Sequence, residues 1–319
     1  MSPMRRKGPL SQDAVIVRLG GRLPRIKIWH RTAYRYCTQV SLGPHRLMLR
    51  PRESRDLRLI AINLDVSPAA QISWAQDVFG NMVATATFAA MSEELTIESQ
   101  VELDLGAEAW PIFPVSLSAM SYPFRYSGDE WTDLGALAQP QYADPAFRLD
   151  RWARGFVRGH PTDTLSLLKD LSSGVSQHVS YQSREEEGTQ GPLQTLDRGW
   201  GSCRDFAVLF AEAARCLGFG ARIASGYLFN PEGAAIGSDD VGSTHAWVEI
   251  YLPGAGWITF DPTNRSIGGF NLIPVAVGRG ITQVSPISGS FHASTDAFAR
   301  MSVEVSVTND TNDGRARRS

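Results

Sequence analysis

Residues 94–105 alternate between apolar and polar side chains with a period of two. Leucine, isoleucine and valine occupy most positions of one set, and mainly glutamate, glutamine, aspartate and threonine occupy the other. This pattern is typical of a β-strand with one buried face and one solvent face. Such a strand has to lie in a sheet that covers its apolar face, so the first half of the chain is constrained to a layered β structure. The side chains expected on the buried face are Leu95, Ile97, Val101, Leu103 and Leu105.

Other segments of the first half carry the same kind of pattern. The dipeptide Gly80-Asn81 is a turn signal between two short apolar runs, which predicts a β-hairpin. Several strands with little helix between them are typical of a β-sandwich-like domain. The strands expected besides 94–105 lie at residues 26–36, 58–66, 72–79 and 82–88.

The second half mixes helical and strand periodicities, which places the whole chain in the α+β class. Ser202 is a candidate N-cap and Gly218 a stop signal for one of the helices. We expect helices at residues 145–157, 161–178 and 202–217. We expect strands at residues 221–229, 245–252, 257–261, 271–278 and 301–308.

These patterns divide the chain into two folded domains with short flanking segments. A proline-containing stretch follows the last strand of the first half and predicts a boundary near residue 110. The predicted order is a flexible segment at 1–23, a β-rich domain at 24–110, a connector at 111–139, an α+β core at 140–308 and a disordered tail at 309–319.

Composition excludes several classes of protein. The 319 residues include 31 Lys and Arg against 33 Asp and Glu, and a net charge of -2 argues against a dedicated nucleic-acid binder.

No apolar run approaches the roughly 20 residues that a membrane span needs. The apolar stretch at 14–17 is too short for the core of a signal peptide, so we expect the cytoplasm as the compartment. Three cysteines without a CxxC pair cannot form a disulfide framework.

Basic residues are concentrated near the start of the chain. Between Arg5 and Arg58 there are 14 Lys or Arg but only three acids. This stretch is either a patch for an anionic partner or a set of solvent-facing strand positions. We favour the second interpretation, with the acidic positions of residues 94–104 as the compensating charges, because the basic residues alternate with strand positions.

Three residues of the second half have the chemistry of a nucleophilic site. Cys203 falls at a predicted helix N-terminus, where the helix dipole and free backbone N–H groups favour the thiolate. His245 begins a strand and Asp261 ends the next one, so the carboxylate could orient the imidazole. The alternative is that Cys203 is a buried packing residue, which is the commoner role of a helical cysteine. No histidine has metal-ligand spacing, so we expect no metal.

The pairing register of these two strands decides whether His245 and Asp261 can meet. In an antiparallel pair, residues that lie opposite each other have a constant index sum. If Leu252 lay opposite Trp257, the His245 and Asp261 side chains would point to opposite faces of the sheet. We therefore predict that Tyr251 lies opposite Trp257 across a loop at 252–256, or that a β-bulge restores this register.

At these residues the sequence resembles bacterial transglutaminase-like proteins, a family that includes proposed cysteine proteases. The strings that carry the resemblance in the core are GSCRDFA at 201–207, HAWVEIY at 245–251 and GWITFDPTN at 256–264. Weaker matches are YRY at 34–36, GPHRL at 43–47, FGN at 79–81 and VAVGR at 275–279. The resemblance spans about residues 24–308 and extends to the N-terminal β-domain of this bacterial group.

The resemblance implies a papain-like core in which a nucleophile helix packs on an antiparallel sheet. It implies a catalytic triad of Cys203, His245 and Asp261. Trp200 and Trp247 are candidate substrate-binding residues, although a packing role is as reasonable for Trp200. A papain-like enzyme often carries an oxyanion-binding glutamine shortly before its cysteine, but the nearest one here is Gln194, so that role is unassigned. Asp205 near the helix start is explained by the helix dipole alone.

The expected activity is thiol-dependent hydrolysis of an amide or peptide bond. One alternative is a transglutaminase, which transfers a glutamine acyl group to an amine. An alternative of another class is a non-catalytic peptide-binding module on the same fold, which is disfavoured because all three triad residue types are present. The expected partner is a peptide or protein amide substrate, with no nucleic acid, no membrane and no cofactor.

Overall fold

The computed structural model describes residues 23–109, 111–183, 188–230, 242–293 and 296–309. The strands in chain order are β1 (Arg25–Leu42), β2 (His45–Leu47), β3 (Leu57–Ser67), β4 (Ala70–Gln76), β5 (Met82–Phe88), β6 (Met91–Leu105), β7 (Ser121–Tyr122), β8 (Thr162–Asp163), β9 (Ser180–Tyr181), β10 (Trp200–Gly201), β11 (Gly220–Phe229), β12 (Gly242–Leu252), β13 (Gly256–Asp261), β14 (Ser266–Ile267), β15 (Leu272–Gly278), β16 (Ile287–Ser288), β17 (Phe291–His292) and β18 (Phe298–Asn309). The α-helices are α1 (Gly128–Leu134), α2 (Arg148–Arg154), α3 (Thr164–His178), α4 (Pro192–Arg198) and α5 (Cys203–Cys216). Short 3₁₀ helices lie at Leu117–Ala119, Gly135–Ala138 and Ile281–Val284.

The N-terminal half folds into two antiparallel sheets. One has the strand order β17-β1-β6-β3 with β18 also paired to β1, and the other has the order β16-β2-β5-β4. The five apolar side chains expected on the buried face of residues 94–105 are all at most 6% exposed, which confirms the strand and its parity. The predicted hairpin is β4 and β5, with Gly80 at its turn in the left-handed region (φ 72°) that glycine tolerates.

The last strands of the chain return to this N-terminal domain. Strand β18 pairs with β1 over most of its length, from Ile26 opposite Asn309 to Tyr36 opposite Phe298. Strands β16 and β17 pair with β2 and β1. The structure differs from the predicted core of 140–308 at its C-terminal end, because strands β16, β17 and β18 complete the N-terminal sheets. The alternation of residues 301–308 predicted a strand, but it does not specify which other strand it pairs with.

The stretch predicted as a connector is folded onto the core. It contains helix α1, and its strand β7 pairs with β8. The Tyr122 ring stacks on Phe219 with centroids 5.4 Å apart, and the Tyr122 hydroxyl donates to the Leu217 carbonyl. Residues 111–139, predicted as a connector, are thus part of the packed structure. Helix α4 was also not predicted, since its seven residues are too few to show a helical period.

The described part of the basic stretch, Arg25 to Arg58, lies mainly on strands β1, β2 and β3, and its positions before residue 23 lie outside the described residues. Arg25 forms ion pairs with Glu102 at 2.8 Å and with Asp104 at 2.7 Å. Arg31 lies 3.6 Å from Glu304 on β18. These contacts confirm the interpretation of this part of the stretch as solvent-facing strand positions, and β18 supplies some of the compensating charge.

The core domain packs helix α5 against the sheet β14-β13-β12-β11-β15. Helix α5 is buried from Asp205 to Arg215, and helices α2, α3 and α4 contact it. The Phe210 ring of α5 lies 5.5 Å from the Phe260 ring of β13. A helix packed on an antiparallel sheet is the predicted core architecture, and the structure confirms it.

The register of β12 and β13 is the predicted one. Tyr251 lies opposite Trp257, and the pairing extends one step further to Leu252 opposite Gly256. The loop is therefore three residues, 253–255, instead of the predicted 252–256. Gly254 (φ 82°) and Gly256 (φ 73°) both adopt the left-handed conformation that this tight reversal requires.

Buried polar contacts fix the sandwich to the core sheet. The fully buried Asn81 side chain accepts a hydrogen bond from the Val277 N–H (2.9 Å) and donates to the Val277 carbonyl (2.7 Å). These two hydrogen bonds join the Asn81 amide to the backbone of strand β15. On β1, the buried His30 ring is 2.9 Å from the Tyr227 hydroxyl of β11. No helix in the described part of the chain is long and apolar enough to cross a membrane.

Candidate active site

Cys203 is the first residue of helix α5. Ser202 precedes it in an extended conformation (φ -87°, ψ 176°) and its carbonyl accepts hydrogen bonds from the N–H groups of Asp205 and Phe206. The Cys203 side chain is half-buried at the positive end of the helix dipole, as the sequence predicts. The backbone N–H of Ala246 donates to its sulfur, which brings strand β12 against the helix start.

His245 and Asp261 form the pair that the strand register predicts. The His245 Nε2 lies 2.9 Å from Asp261 Oδ2, and the two residues are 3% and 1% exposed. The His245 Nδ1 has no hydrogen bond of ordinary geometry among the described residues, and it is the ring nitrogen left to interact with the thiol. Catalytic hydrogen bonds are often long before substrate binds, so this geometry is compatible with proton transfer to or from sulfur.

The Asp261 carboxylate is held from several sides. It accepts hydrogen bonds from the Thr263 N–H (3.0 Å) and from the Asn264 N–H (3.3 Å) at Oδ1, and from the Asn264 side-chain amide (2.7 Å) at Oδ2. Burial raises the pKa of Asp261, but the charge and hydrogen bond of His245, with those from Asn264, outweigh it and hold the pKa below its ordinary value. Asn264 was not singled out in the sequence, although it ends the third motif string.

The thiol and the imidazole shift each other's pKa in opposite directions. Burial raises the pKa of Cys203, but the interaction with His245, the Ala246 N–H and the Arg204 charge bring it below its ordinary value. Burial lowers the pKa of His245, but Asp261 and Cys203 together raise it to about 10. Both shifts favour a thiolate paired with an imidazolium, which is the reactive form of a cysteine nucleophile.

The two tryptophans have different environments. Trp200 is half-buried on β10, and the Arg198 guanidinium lies 5.3 Å from the centre of its ring. Trp247 is 1% exposed, and its ring stacks on the His245 ring at 6.2 Å. Trp247 therefore lies beside the histidine with almost no exposed surface, and its substrate contact stays a prediction. A substrate-binding role for Trp200 stays a prediction.

Sequence reasoning missed a buried polar cluster beside the cysteine. The Asp205 carboxylate is fully buried and accepts from the Ser202 N–H (2.8 Å) and the Gln190 N–H (2.6 Å). Gln190 is 2% exposed, whereas Gln194, the glutamine noted from the sequence, is exposed on α4. The helix dipole does not explain these contacts, and no sequence signal distinguished Gln190.

A chemical consequence of this geometry is selective alkylation. We expect iodoacetamide at about pH 6 to label Cys203 much faster than Cys216 or Cys37. Burial and nearby acids raise the pKa of Cys216 to about 12, so it stays a thiol at that pH. Peptide mapping by mass spectrometry measures the three rates, and equal slow labelling of all three cysteines would contradict an activated thiolate.

Helix α5 packs on an antiparallel sheet and places Cys203 beside the His245–Asp261 pair. This arrangement defines a class of protein, the transglutaminase-like core. Residues 150–262 match the model of the transglutaminase-like superfamily, and residues 26–104 match that of the bacterial transglutaminase-like N-terminal region. The two models together cover more than half of the chain. The chain belongs to the bacterial transglutaminase-like proteins, with both the N-terminal region and the core of that family.

Known proteins resemble the chain over nearly its full length. An uncharacterized protein of Mycobacterium tuberculosis is 28% identical over 88% of this chain and 92% of its own, and one of Mycobacterium leprae is 24% identical over 84% and 93%. The crystal structure of a proposed cysteine protease from Cytophaga hutchinsonii superimposes with a TM-score of 0.69 at 19% identity, over 90% of this chain and 91% of that one. At this identity, the similarity to the Cytophaga hutchinsonii protein shows a shared fold.

Proposed function

We propose that the chain is a cysteine hydrolase that cleaves an amide or peptide bond with Cys203 as nucleophile, His245 as acid and base, and Asp261 as the group that orients the histidine. The observation that carries the proposal is the hydrogen bond of 2.9 Å between His245 and Asp261, which lies against a cysteine at a helix N-terminus. The opposed pKa shifts of Cys203 and His245 support it, since buried groups shifted by specific partners are common at active sites.

The first half of the reaction follows from the positions of these groups. The Cys203 thiolate attacks the carbonyl carbon, a C–S bond forms and the carbonyl π electrons move to oxygen. The backbone N–H of Cys203, at the start of α5, is the donor that would stabilise that oxyanion. The His245 imidazolium then donates its proton to the leaving amine as the C–N bond breaks, which leaves a thioester.

The second half uses the histidine as a base. The imidazole removes a proton from water, the resulting hydroxide attacks the thioester carbonyl, and the C–S bond breaks to give the acid and the Cys203 thiolate. The proton remains on His245, so the ion pair is restored. Asp261 keeps Nε2 occupied in both halves, which leaves Nδ1 for the reacting groups.

Water is the favoured acceptor over an amine. A dedicated transglutaminase must bring an amine to the thioester and keep water away, which calls for a tunnel with aromatic walls. Trp200 and Trp247 were the candidates for such walls, and Trp247 is packed in the core. Among the described residues, Trp200 is the one of these two candidates with exposed surface, so the thioester is expected to be hydrolysed. The cytoplasmic location stays a prediction from the sequence.

A direct competition between the two acceptors tests the choice. A library of glutamine-containing peptides, incubated with the chain and a millimolar primary amine, should yield free acid in excess of amide-exchanged product. Mass spectrometry distinguishes the two products, and a Cys203→Ala variant serves as the blank. Dominant amine incorporation would assign transglutaminase activity. Absence of both products together with an unreactive Cys203 would favour the non-catalytic peptide-binding alternative.

A further inference from the structure

The carboxylate of Asp205 lies in the first turn of helix α5, two residues after Cys203. Besides the two backbone N–H groups, it accepts from the Ser202 hydroxyl at 3.0 Å and lies 3.5 Å from the Gln190 side-chain amide. A buried carboxylate is stable as a charge only when such donors surround it. Asp205 therefore connects Ser202, the residue immediately before Cys203, with the loop that contains Gln190.

Gln190 fixes the other side of the same turn. Its Nε2 donates to the Trp200 carbonyl at 3.2 Å, so the loop that carries it is attached to both Trp200 and Asp205. Its backbone N–H makes the short contact of 2.6 Å with Asp205. With its amide nitrogen committed to these two acceptors, Gln190 is not free to bind an oxyanion itself.

The space at this turn is filled completely. A Cβ atom added at Gly201 would lie 2.8 Å from the Asp205 Cβ, which is closer than real Cβ contacts, so glycine is required there. The chain from Trp200 to Cys203 is thus held against Asp205 by close packing on one side and by hydrogen bonds on the other. The direction of the Cys203 N–H at the start of α5 depends on that chain path.

We propose that Asp205 is a positioning residue, which with Gln190 holds the turn before Cys203 so that the Cys203 N–H at the helix start faces the reacting carbonyl. The proposal rests on the proposed function, because it assigns a role in the same acyl transfer. Asp205 acts through the backbone of Ser202 and Cys203 and does not touch the substrate. Such second-layer hydrogen bonds decide whether oxyanion donors are preorganised.

Two reagents distinguish a change in the position of the turn from a change in the reactivity of the thiolate. Iodoacetamide needs only a thiolate, because sulfur displaces iodide from carbon and no oxyanion forms. In contrast, p-nitrophenyl acetate transfers its acetyl group to sulfur through a tetrahedral oxyanion and releases p-nitrophenolate. The ratio of the acylation rate to the alkylation rate therefore reports on the oxyanion donors and not on the amount of thiolate.

The test variant is Asp205→Asn, which is nearly isosteric. Either orientation of its amide turns an NH₂ group toward a backbone N–H donor, of Ser202 or of Gln190, so one hydrogen bond is lost. We expect the ratio of acylation to alkylation to fall about 10- to 100-fold. A milder variant, Gln190→Ala, keeps the Gln190 N–H contact and should lower the ratio about threefold to tenfold even if Asp205→Asn does not fold.

The matched control is Glu212→Gln, another buried carboxylate on the same helix. Its partners are Arg215 at 2.5 Å and the Gln141 N–H at 2.7 Å, and it lies about 10 Å further along the helix axis. It should destabilise the fold without changing the ratio. A wild-type ratio in folded Gln190→Ala or Asp205→Asn, or an equal drop in Glu212→Gln, would overturn the positioning role. An unreactive Cys203 in the wild-type chain would instead remove the proposed function itself.

Discussion

We expect the replacement of Cys203 with alanine to abolish turnover while the fold remains. We expect the hydrolysis rate of any peptide or ester substrate to fall by at least about 10⁴-fold, because the C–S bond of the intermediate can no longer form. The free energy of unfolding should change by no more than about 1 kcal/mol, since the lost thiol is half-buried at the start of the helix and fills little of the core.

The same helix offers the control for this prediction. Cys216 is the last residue of α5 and is also half-buried, but no imidazole or helix N-terminus activates it. Cys216→Ala should retain full activity, and circular dichroism with thermal unfolding should show both variants folded. Activity that survives in Cys203→Ala would exclude Cys203 as the nucleophile.

Replacing Asp261 with alanine should lower turnover on the order of 10³–10⁴-fold. The carboxylate is the largest influence that raises the pKa of His245, against the burial that lowers it. Without it the imidazole loses its proton at a lower pH, and a neutral imidazole no longer stabilises the thiolate. The Cys203 pKa should then rise, so alkylation at about pH 6 slows. Asp261→Asn should show a loss of the same order, because the charge is lost and either orientation of the amide turns its NH₂ group toward a donor.

The pH dependence of alkylation checks the sign of this effect. In the wild-type chain the His245 pKa is raised to about 10, so the imidazolium and its contribution to stability persist through neutral pH and are lost as pH rises through that value. In Asp261→Ala the alkylation profile should move to higher pH. Glu249→Gln is the control, because Glu249 pairs with Arg222 at 2.6 Å on the same sheet. An unshifted profile in Asp261→Ala would contradict the role of the carboxylate.

The strand and helix patterns could be predicted because they depend on local rules. Period-two alternation placed the buried face of β6, and the index-sum rule placed His245 and Asp261 on one face. The helix starting at Cys203 followed from Ser202 and the apolar spacing behind it. These rules act within one element or one hairpin, where sequence separation and spatial separation are nearly the same.

Long-range packing decided what local rules could not. The return of β18 to the free edge of β1 depends on which strand edge is open after the whole chain has folded, and the sequence of 298–309 carries no mark of that edge. Burial of Trp247 depends on the side chains that strands β11 and β15 place around it. The contact of Gln190 with Asp205 depends on a loop that meets the helix only in the folded state.

The amino-acid sequence by itself determined the fold class, the strands of the N-terminal domain and of the core, and the three residues of the candidate triad. Residue type and short-range periodicity are properties of the chain and do not depend on tertiary contacts. Tertiary structure decided which strands close the N-terminal sheets, which tryptophan remains accessible and which polar groups hold the turn before Cys203. Those outcomes are set by competition among many distant contacts for the same buried space, and each becomes definite only when all the layers are packed.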